Sequence, residues 1–247
     1  MENKVQFDQK VSSSEIRSAI EELSMVVKAF KASSSTVEVE NGNGKHVDIS
    51  DHDHHDHDNS HHVPTKAFLS LSSNLLLQVL DKIGPTMAVL RQDVSQNIQR
   101  LEMLHESDPL MYSNLVEMIK KEVGEGNARK GASCSKSIVW LTRSLDFTVA
   151  LLQKLVKDPG QNMEQAVEEA YNITLKPWHR WISSAAYRVA LKLVPDYQTF
   201  IAVLLAKDEN YDTLKEEMQT FISLLVPFLE EIHVVLRFYG LDRIKCT

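Results

Sequence analysis

The chain has 247 residues, 43% of them apolar, which is enough to build a sizeable core in one large domain or two small ones. The net charge is −7, yet His46 to His62 holds five aspartates and no lysine or arginine. The remainder is therefore near balance, and no basic surface points to nucleic acid as a partner.

The N-terminal MENKVQFDQKVSSSEIRS lacks the apolar segment of a signal peptide, and no run approaches the roughly 20 apolar residues of a bilayer span. Two cysteines, Cys134 and Cys246, form no disulfide framework, which fits a reducing, cytoplasmic setting. Ile16, Ala19, Ile20, Leu23, Val26, Val27 and Phe30 fall on one helical stripe behind the capping serines Ser12 to Ser14. This predicts an N-terminal helix within residues 1–32. Residues 33–64, with Ser, Gly and Asn followed by DHDHHDHDNSHH, have too little apolar surface to offset the entropy of ordering them and read as a disordered loop.

Beyond Pro64 helical signals dominate. The pattern predicts helices over 68–83, 86–104 after Gly84-Pro85, 111–124, 136–156, 163–175, 178–193 and 197–206. The last, 211–239, is expected to kink at Pro227. No useful alternation of strand type and no internal repeat appears. The fold class is all-α, with about eight helices and one domain over 65–247.

Three polar clusters interrupt the apolar helices. In RQDVSQNIQRLE, Asp93, Asn97 and Arg100 stand at i, i+4 and i+7 on one face, opposite Val89, Leu90, Val94, Ile98 and Leu101. Alone, that spacing also describes an ordinary solvated face. In SKSIVWLTRSLDF, Lys136, Trp140 and Arg143 are spaced one turn apart, although a Trp there is commonly core and the cations commonly solvated. In AYNITLKPWHRWI, Pro177 breaks a helix just before Trp178, His179 and Trp181. A lone histidine in such a place is often a structural one.

Taken together and in this order, D-x3-N-x2-[K/R], W-L-x-R and A-Y-x3-L-x3-H-x-W resemble the glycolipid transfer protein family, over about Phe68 to Tyr239. The resemblance implies a two-layer helical sandwich enclosing an apolar lipid pocket, and a non-enzymatic carrier that moves a sphingolipid between membranes without a cofactor. It implies that Asp93 and Asn97 bond sugar hydroxyls or the ceramide amide, with Arg100 where the family usually has lysine. Trp140 would be the plate under a sugar ring, His179 would bond the ceramide carbonyl, and Trp181 would dock on the bilayer. Exposing a two-chain lipid to water costs about 0.8 kcal/mol per CH₂, so a carrier must supply an equally apolar cavity. Leu75 to Leu80 and Val149 to Val156 offer the residues for one.

The headgroup is less settled by these residues. Asn97 and Trp140 favour a sugar, whereas Arg100, Lys136 and Arg143 are spaced to form a cationic cluster for phosphate, as in the ceramide-1-phosphate branch and its plant cell-death-regulating members. The glycosphingolipid reading stands slightly ahead, with ceramide-1-phosphate as the alternative and a lipid-independent helical scaffold as the alternative of another class. Partners are expected to be the lipid and, transiently, a membrane surface, with the protein a monomer. Two Glu-x-x-His patterns, Glu102 to His105 and Glu230 to His233, raise a di-iron possibility, but both are expected mostly on polar faces, so no metal site is assigned. The His/Asp tract could hold a divalent cation weakly, and is expected to be a solvated loop instead.

Overall fold

The computed structural model describes residues 15–35, 61–179, 187–205 and 210–245, with α1 side chains from 16 to 28. The stripe predicted in the N-terminal region lies on α1, Glu15–Ser35, where Ile16, Ala19, Leu23 and Val26 are buried and Ile20 packs partly against them. Ser12 to Ser14 and most of the His/Asp tract fall outside the described residues.

The last residues of the predicted loop are held rather than loose. The Asn114 side chain accepts from Val63 N at 2.9 Å and donates to the His61 carbonyl at 3.2 Å, Val63 is buried, and Pro64 bridges to Asn114. His61 Nδ1 lies 3.0 Å from Glu231 Oε2. The chain then enters α2, Thr65–Ser72, passes through a π turn at Ser73–Leu77, and continues as α3, Gln78–Ile83. The wider turn sets the consecutive leucines Leu75 and Leu76 both inward, and the turn packs against α1, α4 and α6.

Gly84, at φ +103°, turns the chain into a 3₁₀ turn at Pro85–Met87, so α4 begins at Ala88 and runs to Ser107. α5 is Leu115–Gly124, capped by Asn114. The central element is α6, Cys134–Lys157, which packs against α4, α5, α7 and the last helix. It is followed by α7, Met163–Thr174, capped by Asn162, then by a helical stretch at 187–191 and α8, Tyr197–Leu204, capped by Asp196. α9, Tyr211–Phe238, runs on through Pro227 and packs against α6 and α1. Helices stand on both sides of a continuous apolar cluster that extends from Ile16 to Leu241 and includes the fully buried Phe68, Leu71, Leu141, Leu145 and Phe221. Among the described residues no strand forms beyond the single bridge at Pro64.

Two expectations are corrected. His105 does not lie on a polar face: the segment after α4 folds back so that the Tyr112 carbonyl sits 3.0 Å from His105 Nδ1, and the imidazole is buried. Trp178 and His179 do not open a helix. Pro177 lacks the amide a helix needs, and Trp178 N and His179 N turn back to the Leu175 carbonyl at 3.0 and 3.2 Å.

Candidate functional site

α4 provides the first wall of the site. Asn97 is buried, and its amide donates to the Asp93 carbonyl at 2.8 Å, one turn earlier. Arg100 reaches across from α4 to α6: its Nη1 donates to Ser137 Oγ at 2.6 Å and to Asn97 Oδ1 at 3.3 Å. Ser137 is itself fully buried and donates to the Ser133 carbonyl at 3.2 Å, so the guanidinium is fixed to a rigid acceptor. Asp93 reaches solvent at the rim, but the protein around its carboxyl strips enough water to raise its pKa above the ordinary value, and the Arg100 charge only partly opposes this.

The second wall is the N-terminal half of α6, and its position depends on a residue that sequence reading missed. The Glu122 carboxylate of α5 accepts from Cys134 N and Ser135 N, both at 2.7 Å, capping α6 in trans where the helix dipole favours an anion. Burial, reinforced by the Glu122 charge, pushes the Cys134 thiol up to about 12, which leaves it protonated and inert. One turn beyond Ser137 stands the half-buried Trp140.

The three cations expected to form a phosphate cluster go to three separate acceptors. Lys136 Nζ donates to the Gly131 carbonyl at 3.0 Å, back toward the loop before α6. Arg100 goes to Ser137. Arg143 is 4% exposed and donates to the Ile244 carbonyl at 2.6 Å and the Asp242 carbonyl at 2.7 Å, in the segment after α9. Its guanidinium also lies over two indoles, 5.0 Å from the Trp140 centroid and 4.0 Å from that of Trp178.

Trp178 was not among the expected site residues, because nothing local in the sequence says that a turn will lay its ring over a cation on α6. Beside it His179 is half-buried, with Nδ1 3.2 Å from the Tyr171 hydroxyl, and Tyr171 is stacked on Tyr187 at 3.4 Å between centroids. Burial lowers the His179 pKa and the nearby Arg143 charge adds to the effect, so the ring is neutral near pH 7. Where the Tyr171 hydroxyl donates to Nδ1, the neutral ring carries its proton on Nε2. Trp181 lies outside the described residues.

A hydrogen bond thus joins α4 to α6 at Ser137 and a cation–π contact joins α6 to the His179 turn through Arg143, bringing an acid, an amide, an indole and a neutral imidazole to one region. Among the described residues no three His, Cys, Asp or Glu side chains gather in a group that could hold a metal ion. His233 of the second Glu-x-x-His pattern instead pairs with Asp146 at 3.0 Å. No helix among the described residues is long and apolar enough to cross a membrane.

The model of the family described as Glycolipid transfer protein (GLTP) matches residues 63–206, and the chain belongs to that family. Glycolipid transfer protein 3 of Arabidopsis thaliana is 53% identical over 236 residues, covering 96% of this chain and 94% of that one. A GLTP-fold structure concerning how FAPP2 selects simple glycosphingolipids is 26% identical, with a TM-score of 0.67, covering 75% of this chain and 90% of its own. A mutant of Arabidopsis ACD11, solved with C12 ceramide-1-phosphate, has a TM-score of 0.72 at 16% identity over 94% of this chain and 99% of that one, a likeness of fold.

Proposed function

We propose that this protein carries a glycosylceramide between membranes, gripping the headgroup at the α4–α6 face and sheltering the ceramide chains among the core helices. The observation that supports this reading most directly is that α6 meets both partners, Ser137 accepting from Arg100 of α4 and Arg143 lying over Trp178, the neighbour of His179. In this reading Asp93 and Asn97 take sugar hydroxyls or the ceramide amide, Arg100 fixes the rim, and His179 Nε2–H meets the ceramide carbonyl. Trp140 takes the sugar ring on the indole face opposite the guanidinium, where the ring's negative face meets the sugar's C–H edge.

A sugar is favoured over a phosphate because, of the three cations Arg100, Lys136 and Arg143, the last two are drawn to backbone carbonyls, and Arg100 stands beside Asn97. Trp181 would enter the bilayer surface. Support comes from Ile173 and Val189, which are 68% and 65% exposed on the helical segments before and after it in the chain. The protein acts as a monomer in the cytoplasm, performs no bond chemistry, and needs neither metal nor cofactor.

The test is transfer of labelled galactosylceramide and labelled ceramide-1-phosphate between vesicles, side by side. Galactosylceramide transfer lost with Trp140→Ala supports the reading. Activity on the phosphate lipid alone would overturn the headgroup assignment, and activity on neither, with the protein folded, would overturn the carrier itself.

A further inference from the structure

We propose that the segment after α9, clamped by Arg143, sets the attitude of the Trp140 indole and thereby the choice of headgroup, with Arg143 and Trp178 as positioning residues. The inference rests on the carrier reading above. Its starting point is a buried charge that the transfer mechanism does not require: Arg143, near the middle of α6, is drawn to the backbone of residues 99 and 101 positions away.

A buried guanidinium is costly unless its donors are met, and here two are met by short bonds to the Ile244 and Asp242 carbonyls. The carbonyls in turn are held in place. Leu241 is buried in the core, and Arg129 Nη2 donates to the Gly240 carbonyl at 2.6 Å, where φ is +62°. Gly240 cannot be replaced cheaply, since its φ of +62° is a backbone conformation that L side chains rarely adopt. The tail is thus pinned immediately before the carbonyls that receive Arg143.

The same guanidinium lies over Trp140 and Trp178. A planar cation held by directional bonds fixes the plane of the rings it stacks on, which a freely rotating ammonium would not do. Trp140 sits at the position proposed for sugar stacking, so its tilt decides whether a hexose can lie flat on it. Releasing the clamp frees the indole and also returns a positive charge to the site, and both changes disfavour a neutral sugar relative to a phosphate.

The test combines Arg143→Lys and Trp178→Leu in the full chain with a variant ending at Leu241, each measured by near-UV circular dichroism and by transfer of the two lipids. In Arg143→Lys and the shortened chain the indole bands should weaken while far-UV helicity stays, and a Trp140→Phe background should remove most of that change. Galactosylceramide transfer should fall about tenfold or more relative to ceramide-1-phosphate transfer, and Trp178→Leu should give a smaller shift in the same direction. Unchanged indole bands, or equal loss on both lipids in step with lost helicity, would overturn the proposal. If the wild-type chain moves neither lipid, the carrier reading and the selectivity claim fall together, while the indole bands still report whether the tail governs Trp140.

Discussion

Asp93 is held at a disadvantage. Burial raises its pKa, so its ionised form costs stability that would be recovered on protonation. The sign follows from linkage: a raised folded pKa gives stability that is present below the ordinary carboxylate value and lost as pH rises through the folded one. Asp93→Asn should therefore keep or slightly raise the melting temperature at pH 7, with the gap closing in acid. Replacing a charged acceptor, worth roughly 1.5–3 kcal/mol, should cut galactosylceramide transfer about 10- to 100-fold. A variant that lost stability and activity together would make Asp93 a structural residue. Cys134 permits a simpler check. With its thiol pushed up to about 12, it should resist iodoacetamide at pH 8 in the folded protein and react on denaturation, as peptide mass mapping would show.

At the scale of elements, the site depends on how α6 is seated against α4 and α5. Glu122 makes two bonds at the α6 N-terminus, and Ser133 adds a third through its side chain to Lys136 N at 3.2 Å. Glu122→Ala should cost roughly 1.5–3 kcal/mol, seen as a melting temperature lowered by several degrees, with the preference between the two lipids unchanged. A changed preference would mean that Glu122 acts on the headgroup as well as on the helix. Helix periods were legible because apolar residues recur at fixed spacing, and α7 and α9 follow the predicted ranges to within a residue at most ends. The triad Asp93, Asn97 and Arg100 was legible for the same reason. What escaped was tertiary: the cross-helix cap by Glu122, the return of the chain over His105, and the capture of Arg143 by carbonyls about 100 positions away. Helical spacing places Lys136 and Arg143 on neighbouring turns, but it does not say which acceptor each will find.

For the molecule as a whole, a carrier must be stable without cargo and more stable with it. The core already joins α1, the π turn, α6 and α9 in one cluster, with Phe221, Leu71 and Leu145 fully buried. A lipid bound by the folded chain alone adds stability by mass action, about 2.7 kcal/mol when free ligand is a hundredfold above Kd. At roughly 2–4 °C per kcal/mol for a chain of this size, that is a rise of about 5–10 °C. Calorimetry with galactosylceramide delivered from vesicles should show this rise in the wild type and a smaller one in Asp93→Asn. Phe221→Ala tests the partition between core and headgroup face. It should lower both melting temperatures by an amount reflecting about 3–5 kcal/mol of lost packing, yet keep most of the lipid-induced increment, because the residues proposed to read the headgroup lie on α4, α6 and the His179 turn. A lipid-induced rise that vanished in Phe221→Ala but survived in Asp93→Asn would place the binding energy in the chains alone and leave the headgroup face without a role in affinity.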